Sequence, residues 1–372
     1  MPKNTTVEIQ KHIAKIGEEI GFISKLEYQF SLGRDHLYSP IYDVVWFMDL
    51  SSFVKGEIVE KYLGQGNVWN EYVRRVPVAV FEIEGSTTSS KNQVGNFANA
   101  YLSPAFFNII VVNNAGAGTE RDTYRRGVKI YRSFTTLLGN RNAIFTDYEF
   151  LKDIKVNQKS IVSPTVSKQQ NMRRKGSGGE TSSVELADRI IHDFRSSCFL
   201  LRQDYEPDQF YWHYSIDQAR QSVMCLPELD ILMHKQVIWD PITKEKRMAR
   251  RAEDLYYIPK IDLVYGVMLP FAFTTFLRNL AVSMGDDAWH YPILAYMRQN
   301  TKPLEPLFFP VIGFEIETSV SKHLSGGIIN LSSNTFCGVV VSPRVSSRHV
   351  KTYKELFGVR NVFHKSSEEV LE

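Results

Sequence analysis

Residues 76–100 read VPVAVFEIEGSTTSSKNQVGNFANA, and residues 308–332 read FFPVIGFEIETSVSKHLSGGIINLS. Both stretches contain an apolar run, the tetrapeptide Phe-Glu-Ile-Glu, a turn rich in Ser and Thr, and then the pattern Lys-x-x-x-Gly-x-x-x-Asn. A long internal repeat affects the interpretation of the whole chain, because each copy is expected to encode the same structural unit. The sequence therefore predicts a duplicated core.

The similarity between the two halves extends beyond these stretches. Five further pairs of segments match in the same order along the chain: 7–28 with 184–205, 42–46 with 261–265, 106–112 with 336–342, 128–132 with 350–354, and 139–142 with 358–361. The pair 7–28 and 184–205 aligns without a gap. Chance can supply one such match, but not five in the same order, so we interpret the chain as two copies of one unit.

The domain organisation follows from the repeat and from the length of 372 residues, which suits about two domains at roughly 150 residues each. Residues 157–183 are rich in Ser, Lys, Gln and Gly and predict a flexible linker between a first domain, 1–156, and a second, 184–372. The second copy contains an insertion at about 206–255. Within it, residues 237–251 predict a basic hairpin, which is either a solvated surface element or an appendage that contacts DNA.

Local patterns within the first copy predict an α/β fold. Residues 7–21 have apolar side chains at helical spacing, whereas residues 76–84 are apolar along nearly their whole length, as in a strand covered by helices on both faces. The predicted elements are helix 7–21, strands 41–48 and 76–84, helix 88–101, strand 106–113, helix 121–138 and strand 142–146. We therefore expect a central mixed sheet flanked by helices, built twice.

The composition is that of an ordinary globular protein, with 43% hydrophobic and 23% charged residues. The chain has no run of 18 apolar residues and no signal-peptide pattern at its start, so we expect a cytoplasmic protein without a membrane partner. Its three cysteines are too few and too scattered for a disulfide framework or a thiolate metal site. The net charge of +3 permits a nucleic-acid partner without indicating one.

The Phe-Glu-Ile-Glu motif indicates where chemistry takes place. Because side chains alternate between the faces of a strand, Glu82 and Glu84 are predicted to project from the same face. Two carboxylates on an apolar strand repel each other, and a divalent cation that prefers oxygen ligands removes this cost. An aspartate on a neighbouring strand can add a third carboxylate in each copy. The predicted metal ligands are Asp43, Glu82 and Glu84, and Asp262, Glu315 and Glu317.

This arrangement resembles the PD-(D/E)xK nuclease superfamily, which includes the type II restriction endonucleases. The family pattern is an Asp on one strand followed by acid-x-Lys on the next, within an αβββαβ core. By this resemblance the first acid falls on Asp43 and Asp262 and the second on Glu82 and Glu315. The family's Lys position is occupied by Glu84 and Glu317, which is a departure from the commonest pattern.

The resemblance implies metal-assisted hydrolysis of phosphodiester bonds, with one or two Mg²⁺ ions in each active centre. Lys91 and Lys322 follow the second acids at the start of the next helix, and we expect them either to replace the missing catalytic Lys or to be surface residues. The chain has no His spacing typical of a zinc site and no Gly-x-Ser-x-Gly or phosphate-loop motif.

Basic residues at helical spacing and in the inserted hairpin suit a polyanionic substrate. Their alternative interpretation is a solvated charged surface. The predicted DNA contacts are Arg125, Arg126, Lys129, Lys244, Lys246, Arg247, Arg250, Arg251 and Lys351.

The sequence thus favours a Mg²⁺-dependent endonuclease acting on double-stranded DNA, of the site-specific type II restriction class, with two centres in a single-chain pseudo-dimer. Expected partners are DNA and a cognate methyltransferase acting on the same site, and the expected state is a monomer or homodimer. Two alternatives remain open at this point: a repair or defence nuclease without sequence specificity, and a nuclease-like scaffold that binds DNA without cutting it.

Overall fold

Each half contains one five-stranded mixed sheet. The computed structural model describes residues 4–30, 39–85, 88–113, 122–138, 143–156, 181–194, 200–205, 237–240, 245–248, 261–299, 308–318 and 324–372. The first half consists of α1 (Asn4–Ile20), β1 (Ile23–Gln29), β2 (Ile41–Asp49), α2 (Gly56–Leu63), α3 (Trp69–Arg74), β3 (Arg75–Gly85), α4 (Ser90–Leu102), β4 (Phe107–Asn113), α5 (Asp122–Leu138), β5 (Ala143–Asp147) and α6 (Tyr148–Leu151).

The second half repeats this order with additional elements. It consists of α7 (Thr181–Phe194), β6 (Leu200–Tyr205), β7 (Val237–Asp240), β8 (Glu245–Met248), β9 (Ile261–Met268), α8 (Phe271–Met284), a 3-10 helix (Gly285–His290), α9 (Pro292–Gln299), β10 (Phe308–Ile316), α10 (Leu324–Asn334), β11 (Cys337–Ser342), a 3-10 helix (Arg344–Ser346), α11 (Ser347–Phe357), β12 (Val362–Ser366) and α12 (Ser367–Leu371).

The two sheets have the same topology. The strand orders are β1-β2-β3-β4-β5 and β6-β9-β10-β11-β12. In each sheet the first three strands are antiparallel and the last three are parallel. The predicted α/β class with mixed sheets is therefore confirmed.

The strand registers also agree between the halves. Tyr28 pairs with Tyr42 and Tyr205 pairs with Ile261, so each tyrosine lies opposite the residue before the motif aspartate. Likewise, Val44 pairs with Phe81 and Leu263 with Phe314, one residue before each Glu-x-Glu. Equivalent registers in both sheets support the sequence alignment of the repeat.

Several elements differ from the sequence expectation. Helix α7 begins at Thr181 and so includes the last three residues of the segment predicted as a linker; residues 157–180 lie outside the described part. Strand β1 was not predicted, because five of its seven residues are exposed and its hydrophobic pattern is weak. The inserted region is described only at β7 and β8, which pair antiparallel within the predicted basic hairpin.

Each half contributes helices that cover the sheet of the other half. Helices α2 and α3, between β2 and β3, pack on the second sheet, where Tyr62 contacts Phe314 with ring centroids 5.3 Å apart. Helix α8 has the equivalent position between β9 and β10 and packs on the first sheet, where Phe276 contacts Trp46 at 5.2 Å. One hydrophobic core therefore runs through both halves.

The reciprocal packing leaves the opposite face of each sheet to that half's own helices. In the first sheet Trp46 and Phe81 lie on the shared side, and Glu82 and Glu84 point to the side covered by α4 and α5. None of the described helices is long and apolar enough to cross a membrane.

Candidate active site

The carboxylates of the first half converge because β2 and β3 are neighbours. Asp43 Oδ2 accepts a hydrogen bond from the backbone N–H of Ile83 at 2.7 Å, and its Oδ1 accepts one from Gln10 Nε2 at 2.7 Å. Ile83 lies between Glu82 and Glu84, so this bond fixes Asp43 beside the pair. The predicted convergence of Asp43 with Glu82 is thus present in the structure.

Glu82 is held in an environment that disfavours its charge. Its side chain is 7% exposed, and Oε1 is buried without a hydrogen-bond partner. Burial, followed by the charges of Asp43 and Glu84, raises the pKa of Glu82 to about 9. In the absence of a cation Glu82 is therefore protonated at neutral pH.

Glu84 is buried more deeply but is well supplied with donors. It is 1% exposed, and its two oxygens accept hydrogen bonds from Gln93 Nε2 at 2.8 Å and Asn96 Nδ2 at 3.1 Å. Arg126 in turn donates to Gln93 Oε1 and to the carbonyl of Thr88. Burial still raises the pKa of Glu84, although these amides and the charge of Arg126 oppose the shift.

The second half reproduces the central hydrogen bond. The backbone N–H of Ile316 donates to Asp262 Oδ2 at 2.8 Å. Burial, followed by the charges of Asp262 and Glu317, raises the pKa of Glu315 to about 9, and Glu315 Oε1 is buried without a partner. Helix α10 crosses close to this side chain, since a Cβ at Gly327 would lie 3.4 Å from Glu315 Cγ.

A further carboxylate near the site was missed at the sequence level. Glu27 in β1 lies between residues paired with Val44 and Tyr42, which places it opposite Asp43. Its backbone has a positive φ of 48°, uncommon for a residue other than glycine. Burial is the main cause that raises the pKa of Asp43, and the charge of Glu27 adds to it. The signal was present in the gap-free alignment of 7–28 with 184–205, where Glu27 matches Asp204.

The remaining predicted site residues are exposed, half-buried or outside the described part of the chain. Lys91 is exposed in the first turn of α4, and Lys322 lies outside the described residues. Arg125 and Lys129 on α5 and Lys351 on α11 are exposed, whereas Arg126 is half-buried and directed towards Gln93. Of the hairpin cations, the backbones of Lys246 and Arg247 belong to β8; those outside the described residues are Lys244, Arg250 and Arg251.

A cationic cleft lies beside the second sheet. It has a volume of about 500 Å³, and its charged and titratable lining residues are Lys351, Lys354, Glu355, Arg360 and His364. The ammonium group of Lys354 lies 4.9 Å from the centroid of the Phe363 ring, and burial lowers its pKa. Lys354 belongs to the basic residues at helical spacing in the second copy, but spacing alone does not reveal which of these cations faces a cleft.

The cleft and the carboxylates of the second half lie on one face of the sheet. Glu315 pairs with Val340, and Val340 pairs with His364 on the next strand. Laterally paired residues project to the same face, and two strand spacings amount to about 10 Å. The buried side chain of Val340, which packs in one hydrophobic cluster with Leu324 and Val350, lies between them.

The acidic residues of the two halves offer oxygen atoms to a divalent cation. Within the described residues, no three His, Cys, Asp or Glu side chains form a ready ligand set. Mg²⁺ does not need one, since it commonly binds through one or two carboxylates, substrate phosphates and water. The Oε1 atoms of Glu82 and Glu315 are buried beside an aspartate and have no hydrogen-bond partner, so each can bind a proton or a cation. The donor chemistry therefore fits Mg²⁺.

Comparison of the chain with known proteins reveals no similar family, protein or structure. No family model matches the chain, and no curated protein and no solved structure matches it at a significant level.

Proposed function

We propose that this chain is a Mg²⁺-dependent DNA endonuclease of the site-specific type II restriction class, with tandem restriction-endonuclease-like cores. The observation that supports it most is the repeated constellation of an aspartate and a Glu-x-Glu pair. In both halves the aspartate accepts a hydrogen bond from the residue between the two glutamates. An incidental cluster of acids would not be expected to recur with the same register and the same hydrogen bond.

The chemistry follows from the charges of these residues. Of the predicted sets Asp43, Glu82 and Glu84, and Asp262, Glu315 and Glu317, the aspartate and the first glutamate of each half would hold the cation, together with phosphate and water. When bound, Mg²⁺ lowers the pKa of a coordinated water and stabilises charge on the phosphate. The protein supplies fixed carboxylates, low water access around the buried Oε1 atoms, and the cationic cleft that orients the DNA backbone.

The intertwined halves suit a pseudo-dimer on DNA. A homodimeric restriction enzyme presents two equivalent units to the two strands of a palindrome. Here α2 and α3 of the first half pack on the second sheet, and α8 of the second half packs on the first sheet. This reciprocal packing joins the two units of one chain. Because the insertions differ between the halves, the two units would suit an asymmetric recognition sequence. The proposed partner is a methyltransferase of the same specificity.

A second candidate function is a DNA-binding scaffold that does not cleave. It is favoured by the hydrogen bonds that satisfy Glu84 on both oxygens without a cation. A nuclease without sequence specificity is the other alternative from the enzyme class.

The deciding experiment incubates the purified full chain with a panel of unmethylated plasmids and Mg²⁺, with EDTA as the control. Discrete bands support a site-specific endonuclease, and a smear supports a nuclease without sequence specificity. DNA binding in a gel-shift assay without any cleavage would support the scaffold and contradict the proposed activity.

A further inference from the structure

The cationic cleft lies apart from the carboxylates of the second half. Its lining comes from α11, from the turn after α11 and from β12. The buried side chain of Val340 lies between the cleft and Glu315, and it packs with Leu324 and Val350 in one hydrophobic cluster. A ligand of the cleft is therefore held by residues other than the predicted metal ligands.

Two cations of the cleft have no counterion. The described lining residues include three cationic side chains and one carboxylate, which are Lys351, Lys354, Arg360 and Glu355 respectively. This leaves an excess of two positive charges. Glu355 lies 4.0 Å from Lys351 Nζ, whereas Lys354 and Arg360 form no ion pair with any described residue. Burial lowers the pKa of Lys354, as expected for a cation that is shielded from water. The charge of the cleft therefore favours an anion.

The end of α11 does not oppose this charge with free carbonyl groups. The C-terminus of a helix is its negative end, because its last carbonyls lack partners within the helix. Here the backbone N–H of Gly358 donates to the carbonyl of Glu355 at 3.3 Å, and that of Val359 donates to the carbonyl of Lys354 at 2.9 Å. Gly358 has a φ of 64°, which allows this cap. The carbonyls beside the cleft are thus satisfied.

His364 and Ser347 add donors to the cleft without adding charge. Burial lowers the pKa of His364, so its ring is neutral at pH 7. His364 Nε2 contacts Ser342 Oγ at 3.0 Å, and Nδ1 has no hydrogen-bond partner among the described residues. When the Ser342 hydroxyl donates to Nε2, the proton of the ring is on Nδ1 and can be donated to an anion. The hydroxyl of Ser347 also lines the cleft.

The size and the charge of the cleft together select the class of anion. Its volume of about 500 Å³ exceeds that of a phosphate ion and suits a nucleotide-sized molecule. A phosphate of the DNA backbone carries one negative charge, whereas a phosphomonoester carries about −1.5 to −2 at pH 7. An excess of two positive charges matches the phosphomonoester better.

We infer that the cationic cleft is a binding site for a phosphomonoester, carried either by a free nucleotide or by the end of a DNA strand. Arg360 can hold two phosphate oxygens with its planar guanidinium, and Lys354 supplies a second charge. The inference goes beyond the proposed function, because the site is separate from the carboxylates. It rests on that function for one source only: hydrolysis of a phosphodiester by water leaves a phosphomonoester on one strand end and a hydroxyl group on the other.

The test titrates the full chain with adenosine monophosphate and with inorganic phosphate in a calorimeter at constant ionic strength. Arg360→Gln should weaken binding about tenfold, because it removes a charge-assisted hydrogen bond. Glu355→Gln should strengthen binding, because it removes the carboxylate that neutralises Lys351. The matched control is Arg348→Gln, which removes the same charge from an exposed position of α11 outside the lining and should leave the affinity unchanged. Circular dichroism checks that each variant is folded.

Three results would overturn the inference. The first is the absence of binding of both probes to wild type. The second is the same affinity in Arg360→Gln and in wild type. The third is equal weakening by Arg360→Gln and Arg348→Gln, which would mean that the probes respond to the general positive charge of α11 and not to the cleft.

A second measurement distinguishes the two sources of the phosphomonoester. Duplexes of one sequence, ending either in phosphates or only in hydroxyl groups, are compared by fluorescence anisotropy in the presence of EDTA. Tighter binding of the phosphorylated duplex, reduced by Arg360→Gln, identifies the DNA strand end. Equal binding of the two duplexes, with adenosine monophosphate still bound, identifies a free nucleotide. The proposed function fails separately, through the absence of Mg²⁺-dependent cleavage, and that result leaves adenosine monophosphate binding unaffected.

Discussion

The backbone N–H of Ile83 donates a hydrogen bond to Asp43 Oδ2 over 2.7 Å, and Ile316 makes the same bond to Asp262 at 2.8 Å. This bond crosses from β2 to β3 at the place where the carboxylates gather. It satisfies a backbone donor and keeps the aspartate of each half beside the Glu-x-Glu pair. The carboxylate cluster is therefore tied to the integrity of the sheet.

Removal of the acceptor at Asp43 should cost stability beyond the loss of its charge. Asp43→Ala leaves the N–H of the buried residue Ile83 without a partner, whereas Asp43→Asn keeps a carbonyl oxygen in reach. We expect Asp43→Ala to be less stable than Asp43→Asn by about 1–3 kcal/mol, measured by urea unfolding at pH 7 without Mg²⁺. Equal stability of the two variants would contradict the structural role of the bond.

Trp46 tests whether the two halves unfold together. It is fully buried, donates from Nε1 to the carbonyl of Ile13 at 3.2 Å, and packs against Phe276 from the other half. Trp46→Ala should lower the free energy of unfolding by about 3–5 kcal/mol, and Trp46→Phe by less. Because the core is shared, fluorescence and circular dichroism should report one coincident transition. Two separate transitions, with only one shifted by the substitution, would indicate independent halves.

Asp193 predicts a pH dependence of the contact between the halves. It accepts hydrogen bonds from Lys61 and Tyr62, both at 2.8 Å. Burial acts to raise the pKa of Asp193, but these hydrogen bonds and the charges of Lys61 and Arg189 bring it below its usual value. A lowered folded-state pKa means that ionised Asp193 stabilises the fold above the unfolded pKa of about 4, and that this contribution is lost as the pH falls through the folded pKa.

The corresponding measurement compares Asp193→Asn with wild type by thermal and urea unfolding from pH 7 to pH 2. Asp193→Asn should be about 1.5–3 kcal/mol less stable at pH 7, and the difference should shrink as the pH decreases below 4. Lys61→Met should reproduce part of the loss at pH 7. A difference that stays constant across the pH range would rule out the ionised carboxylate as its cause.

Lys354 tests the cationic cleft as a phosphate contact. Lys354→Met keeps most of the side-chain volume over Phe363 and removes the charge. If the cleft holds one phosphate, the slope of log affinity against log salt concentration should decrease by about 0.9. Fluorescence anisotropy with a DNA duplex measures the slope, and Lys15→Met on α1, which removes an exposed lysine paired with Glu19, is the control. The same slope in both variants and in wild type would exclude the cleft from DNA binding.

Much of the architecture was determined by the sequence alone. The repeat predicted two copies of one unit, and period-two alternation predicted that Glu82 and Glu84 share a face of β3. Strong local patterns also placed α1, β2, β3, α4, β4, α5 and β5 within a few residues of their observed bounds. These features depend on local backbone geometry and on hydrophobic periodicity, and both are determined by residues that are close together in the sequence.

The tertiary structure decided what those residues contact. The exchange of inserted helices between the halves, the inward direction of Arg126 and the approach of Glu27 to Asp43 all join residues far apart in the chain or on different elements. Most decisive is the packing of α4 over β3, which brings Gln93 onto Glu84. The sequence shows an amide at position 93, but only the packing of helix against sheet shows that this amide donates to a buried carboxylate.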